Sequence, residues 1–272
     1  MNTFFLDRLN SEPHALAFAG QSTPWPVTLA DQSANPVLDE ALHTHADAAQ
    51  ALLYPVSADL LATTGRPVDL FGFEPNPARL GAAAAASASV PGIALAQLGA
   101  LLDAASLGYN PAVAKPVAVL GHSQGVLAVH MVQAIVEAGS IDAASAQIDE
   151  ILAIATLIGV AGTRQARQLG LAARHGEATP MLSVKDITRA QVDALIKRVS
   201  GARGPIAVAV TNSATHYVLS GYPEDLAAFG VEVVKEHKHQ AKLREEKVRG
   251  GRVFEPVLEY LDVTLPFHSP LM

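Results

Sequence analysis

The chain has 272 residues, of which 50% are hydrophobic and 17% charged, with a formal net charge of −7 and no cysteine. This composition excludes disorder as the main state, and the lack of cysteine excludes disulfides, thiolate metal sites and cysteine nucleophiles. The acidic balance argues against nucleic acid as a partner, because phosphate backbones are bound by clustered basic residues.

The sequence offers neither a membrane span nor a secretion signal. The longest apolar window, residues 151–162, is shorter than the roughly 20 residues that a span needs and predicts a buried helix. Asp7, Arg8 and Glu12 interrupt the N-terminus where a signal peptide requires an apolar region. We therefore expect a soluble, cytoplasmic protein that binds no membrane.

The first half of the chain alternates apolar strands with helices. Strands are predicted at 15–19 and 116–120, each ending at a glycine, as buried parallel strands do. Helical patterns at 35–53 and 91–105 lie between them. This alternation predicts an α/β architecture with a parallel sheet.

After about residue 178 the predicted order becomes βαββαβ, which is typical of a ferredoxin-like unit. The turn Asn212-Ser213-Ala214 is expected to join its second and third strands. We expect this unit, residues 179–266, to be inserted in an α/β core formed by residues 1–178 and completed by the residues that follow. The predicted strands are 181–184, 206–211, 216–221 and 260–266, and the predicted helices are 187–199 and 223–248.

The charge-dense stretch at residues 235–252 belongs to the second of these helices. Its charges are of mixed sign at helical spacing, which is typical of a solvated helix face. No function is assigned to it from the sequence.

One short motif indicates catalysis, the G-x-S-x-G sequence Gly121-His122-Ser123-Gln124-Gly125. An apolar strand precedes it and an apolar helix, residues 126–136, follows it, as a nucleophile elbow requires. The two glycines allow so sharp a turn to pack against the neighbouring strand and helix. We predict that Ser123 is a nucleophile, rather than part of a plain strand-to-helix turn.

A serine nucleophile needs a base. Of the ten histidines, His268 lies in a proline-flanked loop after the last predicted strand and suits the serine-then-histidine order of hydrolase-like sheets. His122 is on the strained turn and His130 lies two turns along the helix, so both are weaker choices. The i and i+2 spacing of His43 and His45 argues against a metal site. The remaining histidines lack supporting context or lie on the charged helix: His14, His175, His216, His237 and His239.

Two backbone N–H groups are predicted to form the oxyanion hole. The N–H of Gln124 lies at the N-terminus of the helix, where the helix dipole favours negative charge. The N–H of Gln21 follows the early strand, which ends at Gly20. Both would face an oxyanion that forms at Ser123.

Five segments together resemble a known family: AFAGQS, GHSQG, VTNSATHYVLSG, KVRGGRVF and LPFHSP. The chain is similar over essentially its whole length to the malonyl/acetyl-CoA:acyl carrier protein transacylases. More narrowly, it resembles the acetyltransferase domain of type I fatty acid synthases. This resemblance implies an α/β-hydrolase-like core, a ferredoxin-like insert and a catalytic dyad of Ser123 and His268.

The resemblance also implies ping-pong acyl transfer. His268 takes the proton of Ser123, the serine attacks the thioester of acetyl-CoA, and the N–H groups of Gln21 and Gln124 hold the oxyanion. The phosphopantetheine thiol of an acyl carrier protein then receives the acyl group. The implied partners are acetyl-CoA, the carrier protein and the remainder of a type I synthase, and no metal or redox cofactor is required.

The lack of an arginine after the nucleophile indicates which acyl group the chain transfers. Malonyl-specific relatives carry Arg-Gly on the helix after the nucleophile, where this chain has Ile158-Gly159 and no arginine before Arg164. An apolar side chain cannot neutralise a buried carboxylate, so we predict acetyl transfer, with malonyl or longer acyl transfer as the alternative. We assign Ile158, His122 and Asn212 to the acyl pocket.

Family members continue beyond the histidine, so the resemblance implies that C-terminal sequence beyond Met272, or a second chain, completes the core. Two functions of other classes stay open. A thioester hydrolase or esterase could use the same elbow and dyad, with water attacking the acyl-serine. An inactive fragment could serve as a structural piece of a larger synthase.

Overall fold

The computed structural model describes residues 8–20, 24–64, 86–171, 178–199, 204–245 and 255–272. The chain forms two compact units, unit 1 (Met1–Arg164) and unit 2 (Gln165–Met272). The division between residues 178 and 179 that we expect from the sequence stays a prediction.

Unit 1 is a mixed α/β structure with a parallel sheet, as predicted. Its described strands pair in parallel, with Ala15 opposite Ala118 and Phe18 opposite Gly121. The elements are β1 (Ala15–Phe18), α1 (Trp25–Ser33), α2 (Pro36–Thr64), α3 (Ala86–Ser106), α4 (Pro111–Ala114), β2 (Ala118–Gly121), α5 (Val126–Ala138) and α6 (Ser145–Gln168), whose last four residues belong to unit 2.

Helix α3 is the central helix of unit 1. It is buried on every side along its first 14 residues, which matches a sequence of small and aliphatic residues without a polar face. The sequence predicts that this helix begins at Pro91, but the five residues before it, Ala86–Val90, are helical as well. The hydroxyl of Thr163 accepts a 2.8 Å hydrogen bond from the Ser87 N–H, so a partner distant in sequence stabilises the first turn.

Two helices of the described residues, α3 and α6, are long and apolar enough to cross a membrane by length and composition alone. Two-thirds of the apolar window of α3 is buried inside the protein, as in the core helix of a globular domain. In α6 the buried share is 39%. A 2.6 Å contact between His45 Nδ1 and Asp149 Oδ1, both largely buried, joins α6 to α2.

Unit 2 contains an antiparallel sheet with the strand order β4-β5-β3-β6. Register is set by pairs such as Ser183 with Val218 and Ser183 with Glu259, which place β3 between β5 and β6. The elements follow the chain in the order βαββαβ: β3 (Met181–Lys185), α7 (Arg189–Val199), β4 (Ala207–Ser213), β5 (His216–Ser220), α8 (Pro223–Glu245) and β6 (Val257–Tyr260).

The two faces of this sheet differ in character. One face packs against α7 and α8 in an apolar cluster that includes Leu182, Leu219 and Phe229. The opposite face carries a smaller cluster around Met181, Val218 and Val263. This alternation follows from the two-residue period of a strand.

Two local predictions in unit 2 are wrong. The last strand is Val257–Tyr260 rather than residues 260–266, because its partner β3 begins at Met181 and the ladder ends there. Asn212 lies within β4 rather than in a turn, because an irregularity between Thr211 and Ser213 lets the strand continue to Ser213.

Candidate active site

The nucleophile elbow, residues 121–125, has the predicted strand-turn-helix form. β2 ends at Gly121, a single 3-10 turn covers Ser123–Gly125, and α5 begins at Val126. Ser123 has a φ of +52°, a left-handed conformation that is uncommon for a residue with a side chain. Strained backbone of this kind is characteristic of functional sites.

Close packing explains why both elbow positions are glycine. A Cβ atom on Gly121 would lie 2.5 Å from the Val126 nitrogen. On Gly125 it would lie 2.9 Å from the Ala19 carbonyl oxygen and collide with the Phe18 carbonyl. Since real Cβ atoms do not approach backbone this closely, any larger residue would push the elbow away from β1.

The end of β1 lies directly against the elbow. His122 N–H donates a 2.9 Å hydrogen bond to the Phe18 carbonyl. A Cβ on Gly20 would lie 2.6 Å from the His122 carbonyl oxygen and 3.1 Å from the Ser123 Cβ. Gln21, the predicted second oxyanion donor, lies outside the described residues, but its neighbour Gly20 lies close to Ser123.

Gln97 is a residue at this site that the sequence analysis missed. It lies on α3, is 8% exposed, and donates a 2.6 Å hydrogen bond from Nε2 to the Ala19 carbonyl. Its Oε1 is buried without a hydrogen-bond partner among the described residues. Gln97 therefore holds the chain immediately before Gly20 and Gln21. No local pattern signals this role, because the two partners are 78 residues apart.

The first turns of α3 connect the elbow to α6. The side chain of Gln124 donates from Nε2 to the Val90 carbonyl. One turn earlier, the Ala86 carbonyl lies so close to Gly159 of α6 that a Cβ could not fit there. Ile158 is next to this contact, so the residue that we predict to select the acyl group lies on the helix that contacts the start of α3.

The α6 surface around Ile158 is apolar. Ile154 and Ile158 are one turn apart on the same helix face and are 50% and 43% exposed. No Lys or Arg occurs in α6 before Arg164. A carboxylate placed against this face would lose hydration without gaining a cationic partner.

His268 lies in the irregular segment after β6, in unit 2, and its side chain is exposed. Its φ of +57° puts it, with Ser123, among the four non-glycine residues of the described part that have positive φ. The loop is held by a 3.1 Å hydrogen bond from Gln165 Nε2 to the Leu271 carbonyl. The pairing of His268 with Ser123 stays a prediction.

Asn212 belongs to a polar network on the sheet of unit 2. Its Nδ2 lies 3.3 Å from His216 Nε2, which is also 3.1 Å from Ser183 Oγ. Because an amide nitrogen only donates, Nε2 accepts, and the neutral ring carries its proton on Nδ1. Burial lowers the pKa of His216, nearby Lys185 lowers it further, and Glu259 opposes the change.

The Ser183 and His216 pair does not form a nucleophile site, although a serine and a histidine are within hydrogen-bond distance. Ser183 is only 3% exposed, so a thioester cannot reach it. It lies on β3, whose ladders with β5 and β6 engage the neighbouring backbone N–H groups. An oxyanion needs such N–H groups to be available, as they are at a helix N-terminus.

The described residues contain no cluster of three or more His, Cys, Asp or Glu side chains suited to a metal ion.

A cavity in unit 1 lies apart from the elbow. It has a volume of about 470 Å³ and is lined mainly by apolar residues of α2, α3 and the C-terminal end of α5, including Ile135. Ile135 lies about 18 Å along the helix from Ser123, so this cavity is not the acyl site.

Comparison with known proteins gives two sequence matches. Residues 180–260 match the family model of the fatty acid synthase central AT domain. The fatty acid synthase beta subunit hexB of Dothistroma septosporum is 27% identical over 164 residues, which cover 56% of this chain and 8% of that protein. The chain thus spans a small part of the sequence relative that it matches.

Solved structures share the fold. The malonyl CoA-acyl carrier protein transacylase of Coxiella burnetii matches with a TM-score of 0.55 and 18% identity, over 96% of this chain and 64% of that one. A malonyl-transacylase in complex with its type II polyketide synthase acyl-carrier protein matches with a TM-score of 0.53 and 19% identity, over 96% and 66%. At these identities the likeness establishes the fold alone.

Residues 180–260 are similar to the central AT domain of fatty acid synthase. The resemblance recognised from the sequence motifs is therefore confirmed. The family match falls in unit 2 and contains Asn212, His216 and Ser183, whereas the nucleophile elbow is in unit 1.

Proposed function

We propose that the chain transfers an acetyl group from acetyl-CoA, through an acyl-serine on Ser123, to the phosphopantetheine thiol of an acyl carrier protein. The observation that carries this proposal is the elbow, in which Ser123 has a φ of +52° between two glycines at which a Cβ atom would collide with backbone. The comparisons support an acyltransferase. The choice of acetyl rests on the α6 surface.

The proposed reaction uses few groups. His268 accepts the Ser123 proton while Oγ forms a bond to the thioester carbon, and the N–H groups of Gln21 and Gln124 stabilise the negative oxygen. The intermediate collapses, the carbon–sulfur bond breaks, and His268 returns the proton to the departing CoA thiolate. The carrier-protein thiol then attacks the acyl-serine by the reverse sequence, which regenerates the Ser123 hydroxyl.

Ile158 supports acetyl as the preferred acyl group. Together with Ile154 it presents exposed apolar surface on the helix that contacts the start of α3. A methyl group suits such a surface, whereas an unpaired malonyl carboxylate would lose solvation there. We assign His122, whose backbone is part of the elbow, and Asn212 to the same acyl pocket.

We extend the proposal to the architecture and setting of the enzyme. Residues 179–266 of unit 2 would be a ferredoxin-like insert in an α/β-hydrolase-like core, an assignment supported by their βαββαβ order and antiparallel strand arrangement. The protein would work in the cytoplasm, as part of a type I synthase, without a metal or redox cofactor.

Competition between acyl donors tests this function. The full chain is incubated with equal concentrations of labelled acetyl-CoA and malonyl-CoA, and protein-bound label is counted for wild type and for Ser123→Ala. We expect acetyl labelling in wild type, none in the variant, and release of the label to holo carrier protein in a chase. Preferential malonyl labelling would contradict the acetyl assignment. Release to water alone would indicate a hydrolase, and no labelling would indicate a structural fragment.

A further inference from the structure

One face of the sheet in unit 2 carries the polar network of Asn212, His216 and Ser183 beside an apolar cluster. Ser183 is directly opposite Val218, a member of the smaller apolar cluster, and His216 is two residues before Val218 on β5. Because alternate residues of a strand point to the same side, His216, Val218 and Ser183 share one face of the sheet. The polar network therefore continues the smaller apolar cluster along this face.

The loop that carries His268 lies on the same face of the sheet. Phe267, the residue before His268, packs against the smaller apolar cluster. The loop of the proposed base and the polar network are thus on one side of unit 2. An acyl donor held at His268 would meet this side, which supports the assignment of Asn212 to the acyl pocket.

His216 fixes the orientation of the Asn212 side chain. Its Nε2 atom lies 3.3 Å from Asn212 Nδ2 and 3.1 Å from Ser183 Oγ, so one lone pair accepts from both donors. A carboxamide has a donor end and an acceptor end, and the neutral ring accepts only the arrangement in which Nδ2 is turned towards it. The acceptor Oδ1 is then on the other side of the Asn212 carboxamide.

The surroundings of His216 favour the neutral ring at neutral pH. Burial lowers its pKa, the charge of Lys185 lowers it further, and Glu259 opposes the change. Lys185 is directly opposite His216 on β3 and pairs with Glu259 of β6 at 3.3 Å. Each of these strands has no other charged residue, and β4, which carries Asn212, has none. We therefore expect the ring to be protonated only below about pH 6.5.

A proton on Nε2 would reverse the arrangement of Asn212. The ring nitrogen then donates, so it can no longer accept from Nδ2. A half-turn of the carboxamide restores the hydrogen bond by bringing Oδ1 to the ring and Nδ2 to the other side. The side of Asn212 away from the ring thus changes from an acceptor to a donor. An acyl group that ends in a carboxylate needs a donor, whereas the methyl group of acetyl needs none.

We propose that His216 is a positioning residue for acyl selection, whose neutral ring holds Asn212 with Oδ1 towards the acyl group. This inference rests on the proposed function, which supplies the acyl group and its pocket. A malonyl carboxylate would meet the acceptor oxygen of Asn212 and be disfavoured, whereas an acetyl group would be unaffected. Protonation of His216 turns the amide group of Asn212 towards the carboxylate and relaxes this selection. Ile158 contributes to the exclusion of malonyl at every pH, and Asn212 adds a contribution that depends on pH.

Competition between two acyl donors tests this role, because their ratio cancels the titration of the base. Acetyl-CoA and malonyl-CoA at equal concentrations compete for Ser123 of the full chain between about pH 5 and pH 8, and both protein-bound acyl groups are counted. His268 would serve both donors alike, so its protonation slows both reactions and leaves the ratio unchanged. The malonyl carboxyl group is ionised over this range, as side-chain carboxyl groups are.

Three variants accompany the wild type in this competition. In His216→Gln the amide oxygen can accept from Asn212 but does not titrate. Asn212→Ala removes the carboxamide from an exposed position, so it reports on the role even if the histidine variant is unstable. His43→Gln, which changes an exposed histidine of α2, is the matched control.

We expect the malonyl-to-acetyl ratio of wild type and of His43→Gln to rise about tenfold from about pH 8 to about pH 5, because the carboxylate gains a hydrogen bond. The ratio in His216→Gln should stay low at every pH, and the ratio in Asn212→Ala should not change with pH. A wild-type ratio that is constant with pH, or one that rises equally in His216→Gln, would overturn the proposal.

A second measurement separates this role from the proposed function. The side-chain amide resonances of Asn212 are followed by NMR in the isotopically labelled full chain, without acyl donor, over the same pH range. They should shift with a midpoint below about pH 6.5 in wild type and stay constant in His216→Gln. If they shift in this way but Ser123 takes up no acyl group, the proposed function is refuted and the coupling of His216 to Asn212 stands. Resonances that do not change with pH would overturn the proposal, whether or not Ser123 is acylated.

Discussion

Replacement of Gln97 by leucine tests whether the end of β1 is held in place for catalysis. The Nε2 group of Gln97 donates a 2.6 Å hydrogen bond to the Ala19 carbonyl, next to Gly20, which contacts the nucleophile elbow. Leucine has nearly the same volume but donates no hydrogen bond. The substitution therefore frees the Ala19 carbonyl and the chain that follows it, without opening a cavity.

The expected loss of stability is small. An unsatisfied buried carbonyl costs about 1–3 kcal/mol, but leucine also removes the buried Oε1 atom that has no hydrogen-bond partner among the described residues. The two effects partly cancel, so we expect the free energy of unfolding to fall by about 1 kcal/mol. Catalysis should suffer more, because loss of one oxyanion donor costs about 100- to 1000-fold in rate. Displacement of the Gln21 N–H should slow the acylation of Ser123 at least about tenfold.

Gln32→Leu is a matched control. Gln32 also donates from Nε2 to a backbone carbonyl, that of Ala96 at 3.0 Å, and its Oε1 is likewise buried and unpartnered within the described part of the chain. This hydrogen bond joins α1 to α3 and does not involve the β1 end. Urea unfolding and the rate of Ser123 acylation by acetyl-CoA are measured for both variants. If acylation slows equally in both, Gln97 contributes only to stability and the reasoning is refuted.

Three further predictions concern the elbow, the polar network and the acyl pocket. Gly125→Ala should abolish acylation and lower the unfolding free energy by about 1–3 kcal/mol, because its methyl group meets β1 carbonyls; Gly230→Ala, with only a normal 3.5 Å contact, should do neither. Because the pKa of His216 is lower in the folded than in the unfolded chain, the unfolded chain binds a proton at this histidine at higher pH. The free energy of unfolding should therefore fall as the pH drops below about 6.5. In urea unfolding below about pH 6.5, the free energy of unfolding of His216→Gln should change less with pH than that of wild type. The same pH dependence in both proteins would contradict the lowered pKa of His216. Ile158→Arg should raise the ratio of malonyl to acetyl labelling about tenfold by pairing with the carboxylate, whereas Val136→Arg on α5 should leave it unchanged.

The elbow could be predicted from the sequence because its determinants are local. Two glycines, an apolar strand and an apolar helix are all within about twenty residues of Ser123. The same holds for the βαββαβ order of unit 2, in which hydrophobic periodicity identifies each element. The first and last residues of the strands are predicted less accurately, since the end of β6 depends on where its partner β3 begins.

Long-range contacts could not be predicted in this way. Ser87 of α3 donates a hydrogen bond to Thr163, 76 residues away, and Gln97 donates one to Ala19. His216 has no motif of its own, and its contact with Ser183 follows from the register of β3 against β5. The mixed charges of the stretch at residues 235–252 predict a solvated helix face, but the packing of Phe229 and Val233 of the same helix into the apolar cluster required the structure.

The central claim, that Ser123 is the nucleophile, is tested most directly by locating the acyl group after reaction. The chain is incubated briefly with acetyl-CoA, quenched in acid and digested, and the peptides are sequenced by tandem mass spectrometry. The account predicts an acetyl ester on Ser123 and none on Ser183, the serine that contacts His216. Acetylation of Ser183, or acetyl-enzyme that persists in Ser123→Ala, would contradict it.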